Sequence, residues 1–160
     1  MNEKSLQSVA NAVAEQIKSQ QNVTLDTALK LAEKVKQKAK IIGVKAVVAV
    51  SDKAGHTILT ESMDGAYIAS FDIAVQKAFT AVALKMSTKA LKPLAQPGGS
   101  LYGIQFTNQG KIVVFGGGEP LKNKSGEIIG GLGVSGGSEE QDTMLSAYGK
   151  EIFEKGNFVF

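Results

Sequence analysis

Apolar positions along this chain recur in two rhythms, one near every third to fourth residue and one near every second, with polar or glycine-rich breaks between them. Leu6, Val9, Ala10, Val13 and Ile17 repeat at helical spacing among Glu, Gln, Lys and Ser, and Ser19-Gln20-Gln21-Asn22 ends the pattern. This predicts an amphipathic helical appendage over residues 1–21, set apart from a domain over 22–160. Such a helix either docks on the body or on a sister subunit, or serves as a detachable targeting element. From Thr24, a good N-cap, Ala28, Leu31, Ala32, Val35, Ala39 and Ile42 trace the stripe of a core helix that stops at Gly43.

The next segment is β-rich. Val44 to Asp52 is almost continuously apolar, Asp52-Lys53-Ala54-Gly55 is turn chemistry, and His56 to Met63 continues extended, so the pair reads as a hairpin. After the Asp64-Gly65 break, Ile68, Phe71, Val75, Ala78, Phe79 and Val82 mark a second helix that ends near Lys85, ahead of a polar stretch with Pro93 and Pro97. Leu101 to Thr107 and Lys111 to Phe115 flank Asn108-Gln109-Gly110 and read as a second hairpin, and Ile128 to Val134 supplies a fifth strand. Ser138 with Gln141 three residues on forms a capping box for a last helix carrying Met144, Leu145, Tyr148 and Ile152. Hairpin-joined strands and three core helices predict an α+β fold: helices layered on a five-stranded, mostly antiparallel sheet.

Glycine changes this picture most. Thirteen of the 18 glycines lie between Pro97 and Gly137, ten of them in the clusters Pro97-Gly98-Gly99, Gly116-Gly117-Gly118 and Gly130 to Gly137. Residues without a Cβ admit positive φ and close approach of a backbone, a flat ligand or another subunit, so the clusters read as a pocket wall. Gly131-Leu132-Gly133-Val134-Ser135-Gly136 matches a dinucleotide-binding pattern. The chain that follows is too short for the returning strand and its ribose-binding acid, and Glu139 and Glu140 would oppose a pyrophosphate.

Composition narrows the chemistry further. The chain of 160 residues has no cysteine and one histidine, which excludes disulfides, thiolate metal sites and a thiol nucleophile, and leaves no multi-histidine metal centre. All 18 cationic side chains are lysine, the net charge is only +3, and the lysine-rich stretch from Lys30 to Lys40 has helical spacing. That describes a solvated helix face rather than a nucleic-acid footprint. No apolar run approaches a membrane span and the N-terminus is polar, so a cytoplasmic protein without a membrane or nucleic-acid partner is expected. No nucleophile elbow or Walker loop occurs, and catalytic residues are expected to be absent.

The runs Ser51-Asp52-Lys53-Ala54-Gly55-His56, Met63-Asp64-Gly65-Ala66, Asp72 to Ala81, Pro97-Gly98-Gly99-Ser100-Leu101-Tyr102-Gly103-Ile104, Phe115 to Gly118 and Gly130 to Gly137 with Glu140-Gln141-Asp142 occur in that order. Together they resemble the GlcG/HbpS haem-binding family, which includes the C-terminal domain of PduO-type proteins of propanediol and glycerol operons. The resemblance covers about residues 24 to 150. It implies a profilin-like three-layer α/β/α sandwich, assembly into dimers and octamers, and a haem or related tetrapyrrole held weakly near a subunit contact, without catalysis. It also implies service to a cobalamin-dependent diol or glycerol pathway. Residues 1–21 lie outside the resemblance and inherit nothing from it; a separate reading makes the chain a structural partner of a metabolic complex or microcompartment, recruited through them.

A tetrapyrrole needs an apolar slot, an axial donor and cations for its propionates. The glycines Gly98, Gly99, Gly116, Gly117 and Gly118, with Pro97, offer the slot; Tyr102, Phe106 and Phe115 offer apolar flanks; Lys77 offers a cation. His56 is the expected iron donor, although a histidine four residues after Asp52 also fits an internal turn hydrogen bond. Met63 and Met86 carry thioethers that bind iron or fill a core. The competing reading is a small-molecule enzyme or accessory subunit that uses the same pocket for a metabolite, with His56 or Tyr102 as acid or base.

Overall fold

The computed structural model describes residues 3–156. Residues 1–2 and 157–160, assigned above to the appendage and to the domain, lie outside the described residues. Five helices and a four-stranded antiparallel sheet make an α+β domain: α1 (Glu3–Gln21), α2 (Leu25–Ile41), β1 (Val47–Asp52), β2 (Thr57–Ser62), α3 (Ile68–Ala83), α4 (Thr88–Leu94), β3 (Gly118–Lys122), β4 (Ile128–Ser135) and α5 (Glu139–Lys155). The strand order is β2-β1-β4-β3. Local signals set the helix ends where the sequence puts them. The Thr24 hydroxyl accepts from Thr27 N–H, Ser138 and Gln141 form the reciprocal capping box, and Gly43 with φ 73 stops the chain after α2.

The sheet is covered on both faces, giving three layers. Val48 and Val50 of β1 with Leu132 and Val134 of β4 face the apolar stripes of α2 and α5, including Leu31, Val35 and Leu145, in the larger core. Val47 and Ala49 face Ala74 and Ala78 of α3 in the smaller one. The period-2 alternation along β1 therefore divides one strand between two cores. On the α3 side β4 carries no bulk. A Cβ on Gly133 would lie 1.9 Å from Ala74 O, and one on Gly131 would lie 2.4 Å from Ala78 O. The third glycine cluster is thus the bed on which α3 lies.

Three expectations need correction. The hairpin expected over Leu101–Phe115 is absent: residues 104–106 and 108–110 are short 3-10 turns, and Asn108, Gln109 and Gly110 all have positive φ. The hydroxyl of Thr80 in α3 donates to Gln76 O at 2.7 Å, with Lys111 O farther off at 3.3 Å, and accepts at 3.0 Å from Val113 N–H, a backbone donor that a strand would have paired. The sheet consequently has four strands rather than five. Its last edge, β3, begins at Gly118 and contains Pro120, residues that weaken a strand signal and are tolerated at an edge. Finally, the polar stretch before Pro97 contains α4, capped by the Ser87 hydroxyl, with Pro93 in its last turn.

The appendage α1 is helical as expected, but it does not bury its stripe on the body. Leu6, Val9, Val13 and Ile17 stay about half exposed, at 51%, 55%, 50% and 50%. The body begins at Asn22, whose side chain accepts from Lys53 N–H, and at Val23, whose N–H bonds Ile129 O.

Two outcomes follow from this packing. Gly133→Ala forces a methyl into the α3 backbone and is expected to cost at least about 3 kcal/mol in urea unfolding. Removal of residues 1–21 detaches no core contact, so the thermal midpoint of the truncated monomer is expected to stay within about 2 °C of the full chain by calorimetry.

Candidate functional site

His56 sits in the β1–β2 turn. Asp52 organises this turn: one carboxylate oxygen accepts from Ala54 N–H at 2.8 Å and from His56 N–H at 2.9 Å, while the other lies 3.5 Å from His56 Nδ1. The internal turn hydrogen bond is therefore real, and it uses the histidine backbone more than its ring. The imidazole itself is 82% exposed. Beneath the turn lies Phe79 of α3, close enough that a Cβ on Gly55 would fall 2.8 Å from its ring. Lys111 Nζ stands 6.0 Å from the centroid of that same ring.

Lys77 lies elsewhere and does something else. Fully buried, it donates to Val134 O at 2.8 Å and to Asp142 Oδ2 at 3.0 Å, with the Phe115 ring centroid at 4.9 Å. Burial holds its ammonium below the usual lysine value, and the Asp142 carboxylate opposes that shift. Asp142 also accepts from Gly137 N–H through its other oxygen, so one buried ion pair joins α3, β4 and the start of α5. Lys77 is consumed by these contacts and offers no cation to a ligand carboxylate, which corrects the expectation for it.

The glycines of Phe115–Gly118 serve the same contact. A Cβ on Gly116 would meet Thr143 Oγ1 at 2.1 Å, one on Gly117 would meet Lys77 Nζ at 2.6 Å, and one on Gly118 would meet Lys77 O at 2.6 Å. Gly117 and Gly118 form a saddle over Lys77 and Gly116 abuts α5, so all three positions are filled by the protein itself rather than open as a slot. Gly99 is likewise filled, since a Cβ there would lie 2.2 Å from Leu94 O, whereas Gly98 with φ 86 faces open space next to Pro97.

Beside the saddle is a recess of 360 Å³, lined by Tyr67, Ser70, Phe115, Ser135, Glu139 and Asp142. Sequence reasoning missed most of this set, because its members come from α3, β4 and α5 and share no spacing. The Ser135 hydroxyl donates to the Ser70 hydroxyl at 3.1 Å. Glu139 accepts from Gly116 N–H at 3.0 Å and pairs with Lys92, and these two contacts, Lys92 first, hold its carboxyl below the usual range. Each carboxylate at the recess is thus already satisfied by the protein.

The two predicted halves of the site do not meet within one protomer. Ser135 pairs with Val47 and Gly130 with Asp52, so the recess and the His56 turn stand at opposite ends of the sheet. Five residue steps of extended chain separate them, about 17 Å. The segment with Tyr102 and Phe106 returns to α3 at Lys111, beside Thr80, and both aromatic side chains point outward, at 65% and 82% exposure. Tyr67, Ile68, Phe71 and Phe115 add exposed apolar surface along α3 and its covering segment. The structure thus places His56, Phe79 and Lys111 together at one end, and Phe115 with Gly116–Gly118 at the other. Lys111 was invisible to sequence reasoning because one lysine among 18 carries no signal.

No cluster of three or more metal-ligating side chains occurs among the described residues, nor a helix long and apolar enough to cross a membrane. Residues 23–150 match the family described as haem degrading protein HbpS-like. An uncharacterized 15.0 kDa protein of the dhaT-dhaS intergenic region of Citrobacter freundii is 45% identical over 140 residues, covering 86% of this chain and 98% of the relative. Corrinoid adenosyltransferase PduO of Salmonella typhimurium is 44% identical over 69% of this chain but only 32% of its own length, so the chain spans about a third of that relative. The crystal structure of a PduOC–haem complex superposes with a TM-score of 0.77 at 38% identity, covering 81% of this chain and 94% of the other.

Because the Lys77–Asp142 pair is buried and shared, Lys77→Ala and Asp142→Ala are each expected to cost about 3–5 kcal/mol, by leaving an unpaired charge inside. The double variant Lys77→Met/Asp142→Leu is expected to recover a large part of that loss, read as a shift of the urea midpoint.

Proposed function

As a member of the HbpS-like family, this chain is one for which we propose a non-catalytic role: a homo-oligomeric binding protein for haem or a related tetrapyrrole. The observation that carries the reading is the outward-facing aromatic layer on α3 and its covering segment, with Tyr102 and Phe106 largely exposed. A monomer that leaves large apolar rings in water gains by covering them with a flat apolar ligand, a second copy, or both. The 38% identical PduOC–haem complex supports haem as that ligand. The relatives named as corrinoid adenosyltransferases support service beside a cobalamin-dependent diol or glycerol pathway.

The fit to a haem is uneven in one protomer and improves with two. His56 has an exposed imidazole on a rigid turn, Phe79 lies beneath that turn, and Lys111 is a cation within reach of the same ring. These residues would supply a nitrogen donor for the iron, an apolar floor and a cation for a propionate, with Lys111 replacing the buried Lys77 in that role. Pro97, Gly98 and Tyr102 would add apolar rim, with open space at Gly98, while Phe115, at the far end of the sheet, would reach the macrocycle only from a second copy. Since the recess end lies about 17 Å from His56, closure over the macrocycle falls to a second copy. Bound haem would supply the redox-active iron; the chain would hold it and limit its exposure to water.

In a hemin titration, the wild-type chain is expected to give a saturable Soret shift with a fixed stoichiometry. His56→Ala is expected to change the Soret position and weaken binding at least about tenfold, and Lys111→Glu to weaken it without moving the band. An unsaturable, wild-type-like response in all three proteins would defeat the proposal, and an unchanged band in His56→Ala would remove that residue as the iron ligand.

A further inference from the structure

The turn that carries His56 occurs twice in this chain. Asp52-Lys53-Ala54-Gly55-His56 joins β1 to β2, and Asn123-Lys124-Ser125-Gly126-Glu127 joins β3 to β4. Each is closed by the first residue's N–H donating to the fifth residue's carbonyl at 2.9 Å, and each has a left-handed glycine fourth, with φ 81 at Gly55 and 83 at Gly126. In both turns one side-chain oxygen of the first residue accepts from the N–H groups of the third and the fifth. That anchoring leaves the first residue one free side-chain atom, and the backbone aims it at the side chain of the fifth. At the β3–β4 turn the free atom is Asn123 Nδ2, which donates to Glu127 Oε2 at 2.9 Å. At the β1–β2 turn it is Asp52 Oδ2, 3.5 Å from His56 Nδ1.

On the haem reading proposed for this chain, we infer that Asp52 is a positioning residue: its carboxylate keeps the His56 ring protonated at Nδ1 and so presents the Nε2 lone pair to the iron. A carboxylate oxygen accepts hydrogen bonds, so it draws an N–H and repels a lone pair. A neutral imidazole has one of each, and a proton fixed on Nδ1 leaves the lone pair on Nε2. Nε2 lies on the ring edge turned from Asp52, and the side chain is largely exposed, so the lone pair stands open to a ligand. A ring without such a partner divides its proton between the two nitrogens, and only the fraction with a bare Nε2 is competent to bind. The carboxylate behind the ring also makes it the stronger donor.

The second turn supplies the test. Asn123 shows that asparagine holds this turn, so Asp52→Asn is expected to keep it while directing an NH2 donor at Nδ1. With one histidine in the chain, the ring gives a single pair of 15N resonances, whose positions distinguish a protonated nitrogen from a bare one. At alkaline pH the ligand-free wild type is expected to show Nδ1–H, and Asp52→Asn to move the proton to Nε2. Hemin affinity is expected to fall at least about tenfold in Asp52→Asn, with the thermal midpoint within about 2 °C of wild type. The same tautomer in both proteins overturns the inference, whatever hemin does. So does a moved proton that leaves hemin affinity at the wild-type value while His56→Ala loses it. Hemin binding indifferent to both substitutions takes the inference down with the iron ligand beneath it, and the persisting tautomer shift tells that failure from the first.

Discussion

Direct contact between the backbone of α3 and the bare face of β4 governs the rest of this molecule. Gly131 and Gly133 let the helix approach until the carbonyl oxygens of Ala74 and Ala78 stand where side chains would otherwise be. At that distance Lys77, between those two residues, has no route to solvent. It must be neutralised inside, which Asp142 and Val134 O accomplish, and the segment that crosses it must be glycine. The glycine clusters on β4 and before β3 are therefore two consequences of one close packing. A ligand slot is not needed to explain either.

The same constraint separates what sequence could reveal from what it could not. Helix positions and caps were legible because Thr24, Ser138 and Gln141 act within a single turn, and the periodic stripe of α2 records the face it buries, whereas α3 buries Ala74, Lys77, Ala78 and Ala81 and leaves Ile68 and Phe71 of its apolar stripe exposed. The β1–β2 hairpin and the Asp52–His56 turn were legible for the same local reason. The stretch after Pro97 was not. Its alternation looked strand-like, but the Val113 N–H is taken by the hydroxyl of Thr80, 33 residues upstream in the chain. Lys77 was misread because helical periodicity gives a lysine no mark of burial; only the Asp142 partner, 65 residues away, makes it an internal group.

For function, the rigid parts and the presented parts are distinct. The ion pair, the glycine bed and the two cores fix the scaffold. The groups available to a ligand or a partner lie on its margins: the His56 ring, Lys111, and the aromatic side chains of the segment between Pro97 and Phe115. The carboxylates lining the recess, by contrast, are held by lysine and backbone N–H donors.

The tip of that segment carries a thermodynamic consequence of its own. Asn108, Gln109 and Gly110 hold left-handed backbone conformations in succession, and the loop closes on itself through Thr107 and Ile104. Two non-glycine residues held at such angles cost free energy that the surrounding loop must offset. Whatever settles against Phe106 thus meets a tip whose shape is maintained against a backbone cost, and a contact that fits that shape would share in offsetting it.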